Sequence, residues 1–407
     1  MRWIWSALGL RFVGAFLSFC VFLMIPAPSM AQSLPPQPVR SALDENGVDL
    51  TTGALWTWTP GVSVGQPGAG GLSYSRFYDS AAQGWRDNVT GTINSSGASY
   101  TVSIFGGSEI FTASGGVFTP VEPNGATLSF SSATNRYTYT GRNGEVAIFD
   151  KGLAGSQPTQ ANEGRLISFA VPSGELRVFT YVTLNAAAQR LQSVTNNFGY
   201  QLKFDYQNND PATGGLVLVK VTALNNAVDY CNPSADTCSY TQTWPSLSFN
   251  APSGNPQRPT TVTDALSRTT TYTYINNRIT ALRRPSSSVD NVTIAYNATT
   301  GFVSTISNGA GTWTYSFPTT TTGFRAVTVT DPVGATTGID LNGTNTIESI
   351  TDGAGRTTSF EYDSANRTRI ERQPGGNLSF SYDARGNVTV VTFGAVPGLV
   401  YCFAIVD

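Results

Sequence analysis

A chain of 407 residues with 12% charged side chains and a formal net charge of −2 has no basic footprint for nucleic acid, and Arg283-Arg284 is an isolated pair. It contains no histidine, which excludes Ser-His-Asp and Cys-His machinery, His-ligated zinc and the commonest general base at neutral pH. With 41 glycines and no long segment of helical apolar periodicity, the expected class is all-β.

Residues 1–31 read as an export signal. Arg2 and Arg11 supply positive charge, Phe12 to Ile25 is apolar, and Ser29-Met30-Ala31 places small residues before Gln32. Pro26 and Pro28 break the apolar run, and no later stretch of about 18 apolar residues follows. The product is therefore expected in the periplasm, at the cell surface or in the medium, with no stable membrane span after signal removal. Cys20 leaves with the signal. Residues 32–47, with Pro35, Pro36 and Pro38, read as an extended linker.

Residues 48–160 read as an irregular β-region, with strands at Tyr100–Phe105, Ile110–Thr112, Leu128–Phe130 and Tyr137–Thr140, then a tight turn and strand from Gly141 to Asp150. Trp56 and Trp58 lie two apart and so share one strand face, where exposed rings would stack on sugars; the competing role is core packing. The glycine-rich run from Gly65 to Gly71 precedes a strand and lacks Lys, unlike a phosphate-binding loop.

Residues 161–260 read as a transition region. Thr195-Asn196-Asn197-Phe198-Gly199 leads to Phe204 and Tyr206, the first copy of a unit that recurs below. Cys231 and Cys238 bracket a polar, turn-rich segment; in an oxidising compartment a local disulfide closing that loop would contribute ~2–3 kcal/mol. A metal site there lacks a second Cys pair and any His. Cys402 is left over.

Residues 261–392 carry the clearest copies. Thr263-Asp264 leads to Tyr272 and Tyr274, Asp331 and Gly334 to Ile339 and Leu341, Asp352 and Gly355 to Phe360 and Tyr362, and a shortened copy ends at Phe380 and Tyr382. The Tyr274-to-Tyr362 interval matches a step of about 22 residues repeated, a period that signals units unable to bury their apolar face alone. Asp352-Gly353 suits a tight hairpin turn, and Thr358, Phe360 and Tyr362 are expected on an apolar face with Ser359 and Glu361 on a wet one. After each strand, Tyr362-Asp363 and Tyr382-Asp383 open a second turn in which Asn366 and Gly386 take the left-handed position. Ser267 stands in place of the turn Gly, Leu341 in place of Tyr, and Ile275 follows Tyr274 in place of Asp.

Tyr362-Asp363-Ser364-Ala365-Asn366-Arg367 and Tyr382-Asp383-Ala384-Arg385-Gly386-Asn387 resemble the Tyr-Asp (YD) repeats of the RHS family over roughly the second half of the chain. That resemblance implies successive hairpins spiralling into a curved, shell-like or solenoidal sheet, an N-terminal region that caps or plugs one end, and a place in toxin delivery or cell-surface adhesion. Residues 393–407 form an apolar tail without turn chemistry, read as truncated or degenerate, so neither the family's self-cleavage nor its toxin is carried over.

Three functions are weighed. The expected one is a non-enzymatic, secreted or cell-envelope repeat scaffold with no cofactor or metal, whose partners are cell-surface carbohydrate or other segments of such a system. The second is a carbohydrate-binding surface module through Trp56 and Trp58. The third is a glycosidase using carboxylates alone, which needs two Asp or Glu roughly 5–10 Å apart; Glu361 with Asp363, or Asp340 with Glu348, are the candidates, against the plainer role of a solvated strand surface.

Overall fold

The turn at Asp352 shows how the repeat is encoded. In a computed structural model of the chain, Oδ1 of Asp352 accepts the backbone N–H of Ala354 (3.0 Å) and Arg356 (2.9 Å). The Gly355 amide donates to the Asp352 carbonyl at 2.8 Å, with Gly355 at a left-handed φ of 76°. One carboxylate oxygen thus satisfies two amides that the ladder cannot reach. The same bonds close the turns at Asp331, Asp264 and, with Asn as acceptor, Asn196. Asp44 builds the same turn through the amides of Asn46 and Val48, so the end of the stretch read as a linker is a formed element.

Residues 43–404 are described, apart from 67–69, 123, 154–162, 185–187, 252–257, 318, 321–322, 325, 344–345, 365–366, 384–385, 387 and 395–399. The export signal, Cys20, most of the linker, Asn366 and much of the tail lie outside them, as does the side chain of Cys402.

Ser267 occupies the Gly position of the Asp264 turn at φ 60°. An L side chain there costs about 1–2 kcal/mol, part of which a glycine returns by loosening the unfolded chain. Ser267→Gly is expected to raise the unfolding free energy by up to about 1 kcal/mol, read from urea unfolding midpoints; a lower midpoint would show that the Ser side chain compensates for its backbone.

From Thr127–Ser131 to Val400–Ala404 successive strands pair antiparallel, each with the next, in one open, curved sheet; the short hairpin of Thr319–Thr320 and Gly323–Phe324 stands aside. Strand Gly164–Ala170 forks it. One edge pairs with Val146–Asp150, while the other takes Gly91–Ser96 at its start and Leu176–Leu184 at its end.

A bulge recurs at one position of the repeat. Asp205 faces Lys220 but Tyr206 faces Leu218, leaving Val219 over. Tyr274, Tyr296, Leu341, Tyr362 and Tyr382 likewise stand opposite bulges that set aside Thr280, Ser304, Glu348, Arg369 and Thr389. A bulge bends its strand and raises the local twist. Repeated once per hairpin, it accounts for a curved sheet.

The apolar face of that sheet is covered by the segment before the repeats. Four of its strands, Val48–Asp49, Ala54–Trp58, Arg76–Asp79 and Gly84–Asp87, form a separate sheet. Trp313 donates to Glu45 at 3.0 Å and Tyr315 to Asp44 at 2.6 Å. Further along, Tyr78 and Trp85 pack on Tyr274 and Tyr272, and Tyr74 meets Phe204 and Phe249 edge-on. The segment therefore fills the aromatic face over much of its length.

The expected wet outer face fails in one place. Gln192, Ser193, Gln201, Lys203 and Thr222 are all buried, and the loop closed by the Cys231–Cys238 disulfide accepts hydrogen bonds from Gln192, Ser193 and Lys203.

Candidate functional site

Five of the repeat tyrosines are latches between neighbouring units. The bulge pulls a carbonyl out of the ladder, and the next tyrosine in sequence donates its hydroxyl to it. Tyr206 donates to Leu191 at 2.6 Å, Tyr296 to Ile279 at 2.8 Å, Tyr362 to Ile347 and Tyr382 to Thr368. Leu191, Ile279, Ile347 and Thr368 are the residues that face Tyr181, Tyr274, Leu341 and Tyr362 beside their bulges. Tyr274 makes the corresponding bond to Pro259 at 3.0 Å. Each bond contributes about 0.5–1.5 kcal/mol net and ties a hairpin to the one before it. Burial first, with small charge and hydrogen-bond contributions, pushes Tyr206, Tyr274 and Tyr296 above the ordinary tyrosine range.

Arginine braces the turns. Arg268, Arg356 and Arg367 donate through Nε to Asp264, Asp352 and Asp363 at 2.8, 2.8 and 2.7 Å. The sequence signal is an Arg four residues after the turn Asp, which the reading by glycine and tyrosine passed over. Arg367 also stacks over Tyr382, 4.5 Å from its ring centre. Gly386 takes φ 82° and donates to the Asp383 carbonyl, while Gly334 and Gly199 hold φ 91° and 84° in theirs.

The proposed carboxylate pairs are engaged with other groups. Glu361 binds Arg369 and Arg372 on the outer surface, Asp363 is held by Arg367, and Asp340 accepts from Ser349 at 2.9 Å. Glu348 is a bulge residue.

Beneath the disulfide loop lies a dense polar layer. Lys203, fully buried, donates to the carbonyls of Phe204 and Asp236 at 3.0 Å, and Ser193 donates to Pro233 at 2.8 Å. Arg190 donates to Gln192, Asn208, Gly215, Asn209 and Asp236. Burial holds the Lys203 ammonium below its ordinary value, against the pull of Asp205. This layer was not legible beforehand, since a strand reading Gln201, Lys203, Asp205 on alternate positions has the pattern of a solvated face.

Trp56 and Trp58 share a face with ring centres 6.5 Å apart. Trp56 stacks on Phe77 at 5.6 Å, while Trp58 remains 48% exposed. Close by, a cavity of about 570 Å³ opens between the N-terminal sheet, the hairpin of Gly91–Ser96 and Ser99–Ile104, and the strands bearing Arg165, Tyr181, Arg190 and Tyr206. Among the described residues no helix is long and apolar enough to cross a membrane.

No protein-family model and no curated protein matches this chain. Among solved structures, it is similar to TcdB2-TccC3 without its hypervariable C-terminal region, at 10% identity and TM-score 0.43, over 81% of this chain and 20% of that one. A second TcdB2-TccC3 structure aligns at 11% identity and TM-score 0.40, over 84% and 21%. A porin-like protein from Bacteroides uniformis aligns at 11% identity and TM-score 0.19, over 72% and 92%. The chain spans about a fifth of the length of the TcdB2-TccC3 chains it matches.

Proposed function

We propose that this chain is an exported, non-enzymatic scaffold of the RHS/YD-repeat type, a segment of a shell used in toxin delivery or surface adhesion. The observation that supports it is where the repeat spends its polar chemistry. Tyr206, Tyr274, Tyr296, Tyr362 and Tyr382 give their hydroxyls to carbonyls of the preceding unit, and Asp264, Asp331 and Asp352 give an oxygen to turn amides. Groups committed in this way hold a wall together.

A second reading, a carbohydrate-binding surface, is favoured by the exposure of Trp58 beside Trp56. One experiment separates the readings. The full chain is produced in an exporting host, its mature N-terminus is sequenced, and it is assayed on a glycan array and on chromogenic glycosides. The scaffold reading expects a start at Gln32, a protease-resistant body, and no turnover. Saturable glycan binding lost in a folded Trp58→Ala variant would replace it with the binding module, and hydrolysis lost in Glu361→Gln or Asp363→Asn would replace it with the glycosidase.

A further inference from the structure

Most polar groups around the cavity described above are engaged within the chain. Arg190 pairs with Asp236 at 3.0 Å and Arg86 with Asp79 at 3.6 Å. Arg165 donates to the Gln189 carbonyl and lies over the Tyr181 ring, and Arg76 lies between Trp85 and Phe249. Tyr206 gives its hydroxyl proton to Leu191. Two phenols that line the same space differ: the hydroxyls of Tyr74 and Tyr181 hydrogen-bond no described residue, although Tyr74 is only 1% exposed. A hydroxyl buried without a partner is unfavourable.

Asp87 is the one carboxylate among the residues lining the cavity. Its Oδ1 accepts the amides of Val89 and Thr90 at 3.0 and 2.7 Å, and its Oδ2 makes no hydrogen bond or ion pair with a described residue. Burial first, and the Asp87 charge after it, push the Tyr74 hydroxyl above the ordinary tyrosine range. Burial raises Tyr181 too, with Arg165 opposing and Asp87 adding to it. One carboxylate thus acts on phenols from Leu72–Tyr74 and Leu176–Leu184, strands far apart in sequence. An ionised acceptor and two hydroxyls therefore face one space.

These remaining groups narrow the class of ligand. A carboxylate oxygen that accepts, and phenols that both give and accept, match a molecule rich in hydroxyls. Tyr74, Trp85, Tyr181 and Tyr206 border the same space with aromatic rings; water makes no use of such faces, whereas the C–H face of a pyranose ring packs on them. An anion meets Asp87 and a cation meets the arginines, which leaves a neutral ligand. The volume of about 570 Å³ falls within the range of small-molecule sites. We propose that this cavity binds a neutral saccharide of one or two pyranose rings, whose hydroxyls donate to Oδ2 of Asp87 and pair with the hydroxyls of Tyr74 and Tyr181. Trp58 is not among the residues lining it, so the site is separate from the exposed tryptophan face.

The test is calorimetric titration of the full chain with maltose, cellobiose and lactose, compared with glucuronate and with mannitol, an acyclic polyol that has hydroxyls but no ring face. The expected result is saturable binding of at least one of the disaccharides, weaker binding of glucuronate and none of mannitol. Asp87→Asn keeps an oxygen for the amides of Val89 and Thr90 but loses the charge, and is expected to weaken binding about 10-fold or more. Tyr74→Phe is expected to weaken it about 2- to 10-fold. The same variant is expected to leave the melting temperature of the unbound protein unchanged or higher, because the hydroxyl it removes bonds no described residue. A lower melting temperature with unaltered affinity would make Tyr74 purely structural and overturn the proposal. Ser103→Trp, at the edge of the lining, is expected to abolish binding with the fold intact, and it decides the matter if Asp87→Asn does not fold. Binding of none of the three disaccharides, tighter binding of glucuronate, equal binding of mannitol, undiminished binding by Ser103→Trp, or loss of binding in Trp58→Ala would each overturn it as well.

Discussion

Tyr78→Ala is expected to lower the unfolding free energy by about 3–5 kcal/mol, the range for truncating a buried aromatic residue, and to release the N-terminal sheet from the repeats. Tyr78 is fully buried. Its ring lies 5.5 Å from Trp85 and 6.4 Å from Tyr274, and its hydroxyl donates to the Asn277 carbonyl at 3.0 Å. A cavity at this point separates two sheets joined mainly by side chains, so the surroundings have little backbone connection through which to collapse. Tyr78→Phe removes only the hydroxyl and is expected to cost about 0.5–1.5 kcal/mol. Urea unfolding by circular dichroism gives the energies, and limited proteolysis read by mass spectrometry locates the released segment. An unchanged midpoint in Tyr78→Ala, with the segment still resistant, would mean that the contacts at Tyr74 and Tyr315 hold it without Tyr78.

Raising the pH above 10 is expected to unfold the protein in one steep transition. Burial is the leading cause of the raised values of Tyr206, Tyr272, Tyr274, Tyr296 and Tyr315, and it pushes Tyr78 up to about 12. In the unfolded chain a tyrosine titrates near its ordinary value of about 10. Between those values the folded state retains protons that the unfolded state has released, so stability is complete below about pH 10 and falls as pH rises through the folded values. The chemistry agrees with the sign, because an ionised phenol has no proton to donate to the bulge carbonyls. Lys203 acts in the opposite direction, its depressed value relieving a penalty as pH rises toward its ordinary value, but it is one group against many tyrosines. Tyrosinate absorbance and circular dichroism should therefore change together. Gradual ionisation near pH 10 with the sheet intact would show that the hydroxyls are accessible and the latches dispensable.

The turns were legible because their chemistry closes within five residues. An Asp or Asn, a residue able to take positive φ three positions on, and the strand that follows are sufficient, and Asp264, Asp331 and Asp352 follow that rule. The Tyr spacing likewise marked where units recur. The same residues concealed the bulges, since an extra residue such as Arg369 or Thr280 differs from its neighbours only in which partner it faces.

By itself, then, the sequence determined the all-β class, the hairpin unit and its turns, each set by contacts between residues close along the chain. Tertiary structure alone decided which carbonyl each tyrosine latches, which outer face the disulfide loop buries, and which arginines share a cavity. Arg76, Arg165 and Arg190 stand in unremarkable local patterns, and Tyr78 reaches Asn277 across 199 positions. Such contacts depend on the register and curvature summed over many strands. Local preferences carry no term for that sum; only the packing of one sheet on another sets it.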